Sequence, residues 1–277
     1  MKKVFRFPLF ALALTIMAAC SKESEKTPTT EAVDNDPMVY QNLVAYYHFD
    51  YANANNDRGR LHNGTLVRGT YISDTPSGSG LAVQLDSGGY VGLGSALYGQ
   101  RTFTVNLWVK DVKSGPLFTT LYDESHGGPT FAYNGATVWY RYGYNNHSTY
   151  FTADLRTKSE NRWTMLTFVT DSMRSTTDAN RAWPGLHKMY VDGQLVGYVE
   201  NSQDCEARGY STVGGSLPYY SSYPYRAEGY PCEPFKVDNV RLYNVPLTDD
   251  LIMKIYKKEM ERKGGVTGKD TGGSGER

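Results

Sequence analysis

Across the middle of the chain apolar residues recur at every second position in short runs, which is the period of half-buried strands, and Gly, Ser, Pro and Asn divide the runs. From Leu43 to Asp50 the alternation sets Leu43, Ala45, Tyr47 and Phe49 against Val44, Tyr46, His48 and Asp50, with both faces largely apolar or aromatic. The stretch 51–64 reads as a loop, rich in turn residues and with little to bury. Short strands are predicted over 64–67, 81–85 and 90–93. The clearest strand runs from Thr102 to Lys110, where Phe103, Val105, Leu107 and Val109 share one face and Trp108 takes the other, a pattern that predicts a central position. Further strands are predicted over 117–121, 130–133, 137–142, 163–170, 186–192 and 195–199, the last two joined by a hairpin turn at Asp192-Gly193.

The closing run from Phe235 to Leu247 carries the most telling pattern. Strict alternation gives Asp238, Val240 and Leu242 to one face and Val237, Asn239, Arg241 and Tyr243 to the other, so a carboxylate shares a face with core aliphatics and needs a partner. Only residues 248–260 read as helix: Thr248 is an N-cap, acids fill the first turn, and Leu251, Ile252 and Ile255 form an apolar stripe. Many short strands without helical periodicity between them predict an all-β fold, an antiparallel sandwich rather than an α/β arrangement.

Composition narrows the function. Lys plus Arg and Asp plus Glu both number 29, so no basic field exists to attract a phosphate backbone, and nucleic acid is not expected as a partner. Tyrosines number 23 against 10 phenylalanines, a bias toward rings that pack on one side and hydrogen-bond on the other.

The N-terminus adds a compartment. A basic start followed by an apolar stretch from Phe7 to Met17, too short for a permanent span, reads as a signal peptide over 1–19. Met17-Ala-Ala-Cys20 resembles the bacterial lipobox, which implies that Cys20 becomes a lipidated N-terminus; an ordinary secretory peptide with an incidental cysteine is the alternative. The polar run that follows suits a flexible tether over 20–40, and it resembles the surface-export signal of Bacteroidetes lipoproteins, with Lys22 and Lys26 departing from the acidic pattern. These features predict an outer-membrane lipoprotein of the cell envelope that is exposed at the surface and meets the membrane through its lipid anchor only. Two cysteines remain, and an exported pair most simply forms a Cys205–Cys232 disulfide, worth roughly 3 kcal/mol in the chain-entropy model. Two buried free thiols are the alternative. A domain over 41–262 and a Gly-rich, disordered tail over 263–277 complete the division.

Two separated signatures, Leu43 to Asp50 with the loop Asp57 to Leu66, and Val237 to Thr248, together resemble the two ends of laminin-G-like (concanavalin A-like lectin/glucanase) jelly-roll domains. Phe103 to Val109 and the Tyr190-Val-Asp-Gly193 hairpin resemble the family's central strand and hairpin. The resemblance spans about residues 40 to 260 and implies an antiparallel β-sandwich jelly roll with a short C-terminal helix. It is specific for fold and weak for function, because the fold hosts lectin modules, adhesion modules and hydrolases. It also implies a structural calcium ion held by Asp50, Asp57, Asn63 and Asp238, oxygen donors of the kind calcium takes. Arg58, Arg60 and His62 depart from the family's loop, and capping of strand ends by Asp50 and Asp238 through backbone amides or Arg241 is the competing reading.

No Glu-x-Asp-x-x-Glu strand, Gly-x-Ser-x-Gly elbow, His-Glu-x-x-His helix or phosphate loop occurs in the chain. Asp123, Glu124 and His126 form the nearest acid–histidine group, but a run before two glycines also reads as a solvated turn. The stronger signal is aromatic and polar. The stretch 137–147, with Tyr144, and the stretch 218–230, with Tyr219, Tyr220, Tyr223, Tyr225, Arg226 and Tyr230, interleave rings with donors and acceptors, as recognition of sugar faces and edges requires. Tyrosine-rich loops also suit protein contacts. The expected function is therefore non-catalytic binding of a glycan or polysaccharide. An adhesion or assembly module for another envelope protein is the alternative, and a divergent glycoside hydrolase or polysaccharide lyase comes third.

Overall fold

The structure, a computed structural model, describes residues 37–58, 61–121, 127–135, 137–142, 147–151, 153–172, 185–201, 206–207, 209–215 and 232–265. These residues form thirteen strands: β1 (Leu43–Tyr47), β2 (Thr65–Ile72), β3 (Ala82–Gly92), β4 (Phe103–Lys110), β5 (Gly115–Leu121), β6 (Gly127–Tyr133), β7 (Val138–Tyr142), β8 (His147–Phe151), β9 (Thr164–Ser172), β10 (Gly185–Val191), β11 (Gln194–Asn201), β12 (Tyr210–Gly214) and β13 (Phe235–Tyr243). Helix α1 (Pro37–Asn42) precedes them, α2 (Leu155–Ser159) interrupts them and α3 (Asp249–Gly265) follows them. No helix among the described residues is long and apolar enough to cross a membrane.

Every strand pairing is antiparallel, and the strands follow the order β11-β10-β9-β4-β13-β3-β12-β5-β6-β7-β8, with β1 on β13 and β2 on β3. The sheet folds over on itself at β3. Its first half pairs with β13 through Phe235↔Leu85 and Val237↔Val83, and its second half pairs with β12 through Thr212↔Gly92 and Gly214↔Tyr90. Residues 81–85 and 90–93, expected as two strands, are thus one. The join is possible because Gly89 has no side chain: a Cβ there would lie 2.1 Å from the carbonyl oxygen of Arg68 on β2. The two layers meet in a dry core where Phe131 of β6 stacks on Phe168 of β9, ring centroids 4.3 Å apart, and Phe103 of β4 faces Phe118 of β5 at 6.4 Å. The fold is the expected antiparallel jelly-roll sandwich.

Strand β4 lies between β9 and β13, as its pattern predicted, with Phe103, Val105, Leu107 and Val109 in the inter-layer core and Trp108 on the outer face. The turn at Asp192 and Gly193 has φ values of 51° and 79°, the geometry that the Asp-Gly pair supplies for a two-residue hairpin. Helix α3 runs to Gly265, beyond the expected end at 260, because residues 257–263 continue with good helix formers. It lies on the outer face of the β13–β4 layer, where Ile252 and Ile255 join Trp108, Met165, Tyr190 and Tyr243 in a second apolar cluster.

The closing strand departs from strict alternation. Asn239 has φ 50° and the β13–β4 register shifts between Asp238 and Arg241, so β13 carries a bulge. Phe235, Val237, Val240 and Leu242 therefore all face the inner core, while Tyr243 joins the outer cluster and Asp238 stands opposite Trp108. The sharing of a face by Asp238, Val240 and Leu242 is thereby corrected. Cys232 is likewise a buried free thiol rather than half of a disulfide: its Sγ lies 3.0 Å from Gly89 O, and burial raises its pKa. Cys205 lies outside the described residues.

Candidate functional site

The loop after β1 folds back against its own strand because its amides have fixed local partners. Asn56 Oδ1 accepts from the Tyr46 and Arg58 amides, both at 3.0 Å, and Asn56 Nδ2 donates to Leu61 O at 2.8 Å. This fold-back carries Asp57 toward His48, which follows the end of β1. His48 Nδ1 lies 3.0 Å from Asp50 Oδ2, and Nε2 makes a close contact with Asp57 Oδ2. Burial alone would lower the histidine's pKa, but hydrogen bonds and charge from Asp50 and Asp57 outweigh it and raise the value to about 9. Nδ1 is also 3.0 Å from the Asp50 amide, a donor that only the neutral ring could accept from, so protonation selects the carboxylate. Asp50 Oδ1 accepts from Leu81 N at 2.9 Å, which ties the corner to the start of β3.

The four proposed calcium donors are placed unequally. Asp50 and Asp57 come together, but around the His48 ring. Asn63 turns its Oδ1 to the Asn56 amide at 3.1 Å. Asp238 accepts from its neighbour Asn239 N at 2.7 Å; burial and the nearby charges of Asp50 and Glu259 push its carboxyl well above the usual range, in spite of that amide and Arg241. In this arrangement Asp50 and Asp57 hold the His48 imidazolium between them, and its single positive charge offsets one of their two negative charges.

Behind this corner lies a buried polar cluster that connects β1, β4, β13 and α3. Arg241 pairs with Glu259 of α3 at 2.5 Å, its guanidinium stacks 4.4 Å over the Tyr46 ring, and it donates to the Tyr46 hydroxyl at 3.2 Å. That hydroxyl donates in turn to Asn239 Oδ1 at 2.5 Å, and Trp108 Nε1 donates to the second oxygen of Glu259. Tyr46, Trp108, Arg241 and Glu259 are all buried, so the cluster holds the helix to the sheet. The Asp238-Asn239 pair, two poor strand formers inside an apolar run, was the sequence signal for the bulge that assembles it.

The expected ligand residues Tyr144, Tyr219, Tyr220, Tyr223, Tyr225, Arg226 and Tyr230 lie outside the described residues, as do Cys20, Asp123, Glu124 and His126. Among the described residues the large exposed apolar side chains are Tyr40, Tyr51, Leu61, Tyr98, Leu195, Tyr198, Tyr210 and Met260, and five of these eight are tyrosines. Tyr51 packs edge-on against the His48 ring at 5.2 Å, and Tyr40 carries the Arg58 guanidinium at 3.7 Å over its ring.

Comparison with known proteins places this geometry. The sequence profile of the concanavalin A-like lectin/glucanases superfamily matches residues 85–253. No curated protein matches the sequence. Among solved structures, domain 4 of AbnA, a GH43 extracellular arabinanase from Geobacillus stearothermophilus in complex with arabinotriose, is similar in fold with a TM-score of 0.54. It is 18% identical, over 78% of this chain and 98% of that one. The binding domain of botulinum neurotoxin DC in complex with SialylT aligns with a TM-score of 0.56 at 11% identity, over 79% and 51%. A structure of botulinum neurotoxin type C, whose cell entry is described as dependent on interaction with two ganglioside molecules, aligns at 0.53 and 10%, again over 79% and 51%. The chain thus spans about half the length of these neurotoxin domains.

Proposed function

The chain belongs to the concanavalin A-like lectin/glucanase superfamily, and from that premise we propose that it is a non-catalytic carbohydrate-binding protein of the cell envelope. The observation that carries this reading is the character of the exposed apolar surface, in which, among the described residues, tyrosines outnumber aliphatic ones on a β-sandwich. A tyrosine ring stacks on the apolar face of a sugar while its hydroxyl meets the sugar's edge, and a β scaffold holds such rings at little entropic cost. The binding of arabinotriose by the arabinanase domain and the ganglioside dependence of the type C neurotoxin support the same ligand class. In this reading the 218–230 stretch supplies further contacts, and lipidated Cys20 keeps the protein at the outer membrane.

A glycan array with the purified protein tests the proposal. Binding to at least one glycan family is expected, together with weaker binding by Tyr223→Ala and Tyr225→Ala. Absence of signal across the array removes the glycan reading in favour of a protein-binding module, and release of reducing sugar from a polysaccharide panel replaces it with an enzyme. Cys20→Ser is expected to move the protein from the membrane to the soluble fraction; retention in the membrane removes the lipid anchor.

A further inference from the structure

Three of the exposed apolar residues stand on three segments that the backbone ties together at one rim of the sandwich. Residues 93–100 face Ala207 and residues 209–211 through four main-chain hydrogen bonds. Leu93 N to Ser211 O and Ser211 N to Gly94 O, both 2.8 Å, close one end, and Gly99 N to Ala207 O at 2.8 Å and Ala207 N to Gln100 O at 2.7 Å close the other. Inside this ring Tyr98 is 62% exposed and Tyr210 56%. The third segment, with Leu61 at 75% exposure, is fastened to the first by the buried Tyr47 phenol, whose oxygen lies 2.5 Å from Leu93 O and 2.7 Å from His62 O. His62 Nδ1 stands 3.4 Å from Ser95 Oγ between the two loops, and Arg101 and Glu206 pair with each other at 3.5 Å beside the ring.

We propose that this rim is a stacking platform for a neutral glycan chain, with Tyr98 and Tyr210 as the contact rings; the proposal rests on the carbohydrate-binding reading above and assigns it residues outside the 218–230 loop. Three features select a sugar over a protein. Among the described residues of the rim Tyr98 and Tyr210 stand with Ser95, Gln100, Arg101 and Glu206 and with one exposed aliphatic, Leu61, whereas a stable protein interface needs roughly 800 Å² per partner with a dry centre. A sugar needs only one ring face at a time and a polar edge beside it, which His62 and Ser95 supply. The four main-chain bonds hold the two segments before a ligand arrives, so little order is lost on binding. The neutral class follows from charge: among the described residues beside the ring, Arg101 and Glu206 offset one another and so give a uronate or a sulfate no net charge to meet.

Affinity electrophoresis of the full-length protein through gels containing arabinan, xylan, mannan, mixed-linkage β-glucan or polygalacturonan tests this. At least one neutral polysaccharide is expected to retard the protein. Tyr98→Ala and Tyr210→Ala should each weaken retention about tenfold, which is the scale of one stacked ring. Tyr98→Phe and Tyr210→Phe should keep most of it. Tyr198→Ala, at an equally exposed position on β11, should change nothing. Circular dichroism checks that the variants fold, as substitutions at exposed positions should. Full retention of the Tyr98→Ala Tyr210→Ala double variant by a neutral polysaccharide overturns the platform and leaves the carbohydrate reading standing. Retardation by polygalacturonan alone overturns the neutral class, and no retardation by any of the five overturns the platform together with the reading it rests on.

Discussion

The inner and outer faces of the β13–β4 layer are both buried, yet they are built from opposite materials. The inner face carries Leu107, Phe168, Met189, Val240 and Leu242, and its polar rings include Tyr47 and His187, the latter kept neutral by burial, which lowers its pKa to about 3. The outer face carries Trp108, Tyr46 and Tyr243, but also Arg241 paired with Glu259 and the buried acid Asp238. The difference follows from what covers each face. The inner face meets the sheet's own second layer, whose position the folding-over at β3 already fixes, so uniform apolar packing suffices. The outer face is covered by α3, a helix that could slide along an apolar stripe. A charge pair between Arg241 and Glu259, with Trp108 bound to the same carboxylate, selects one position for the helix.

The two faces respond differently to substitution. Phe168→Ala on the inner face and Glu259→Ala on the outer face are each expected to cost about 3–5 kcal/mol in urea unfolding, the first by leaving a cavity and the second by leaving the Arg241 charge buried beside Trp108 and Asp238. The two differ in how they can be rescued. Arg241→Met combined with Glu259→Leu should recover most of the loss, since an apolar pair of similar volume needs no compensation for desolvation, although the position of α3 should become less defined. If the double variant is as unstable as the sum of the single ones, the pair is a source of stability and the positional role assigned to it is wrong.

The inner face was legible in the sequence because apolar alternation reports directly on one buried side. Phe103, Val105, Leu107 and Val109 were placed correctly from period alone, and so was the Asp192-Gly193 turn, whose residues tolerate its backbone angles. The outer face was not. A single extra residue at Asn239 reverses the face of everything that precedes it, and alternation counted from Phe235 cannot register such a step. The same blindness hid Glu259, which reads as one more charge on a solvated helix until a sheet with Arg241 is placed beneath it. At the candidate site the acids of the 50–57 loop were legible, whereas the insertion of His48 between them depends on a fold-back that local composition does not encode.

The two buried histidines sharpen the contrast through pH. His48 has its folded pKa raised to about 9, so the stability it contributes is complete below about pH 6.5 and is lost as pH rises toward 9, by up to about 3 kcal/mol. His187 has its folded pKa lowered to about 3, so its penalty is absent above about pH 6.5 and grows as pH falls, by at most about 1.4 kcal/mol per pH unit. The two histidine contributions together therefore peak near pH 6.5. Asp238, with its folded pKa raised, contributes in the opposite sense to His187, its stability falling as pH rises above the usual carboxylate range. His48→Gln should flatten the alkaline limb and His187→Gln the acid limb between pH 4 and 6.5. Below that range Asp74 adds a further loss: burial would raise its pKa, but Lys110, Lys236 and Trp163 outweigh it and lower the value to about 2. An alkaline limb that survives His48→Gln unchanged would show that the ring is not charged between its two acids.

The smallest expected effect concerns calcium at the same corner. A divalent ion competing for Asp50 and Asp57 must displace the His48 ring, and at pH 7 that ring, with a pKa of about 9, is still an imidazolium that bonds to both carboxylates and offsets one of their two charges. Binding at this pH would carry the added cost of removing a proton, so calcium should gain little that the histidine has not already supplied. Melting temperatures with chelator and with millimolar calcium should accordingly agree to within about a degree at pH 7. His48→Ala leaves the two carboxylates facing each other without a cation, which is the arrangement calcium prefers, and that variant should melt higher when calcium is added. A rise of several degrees in the unaltered protein would mean that the carboxylates hold the metal in preference to the ring, and the corner would then belong with the calcium-bearing loops the sequence resembles.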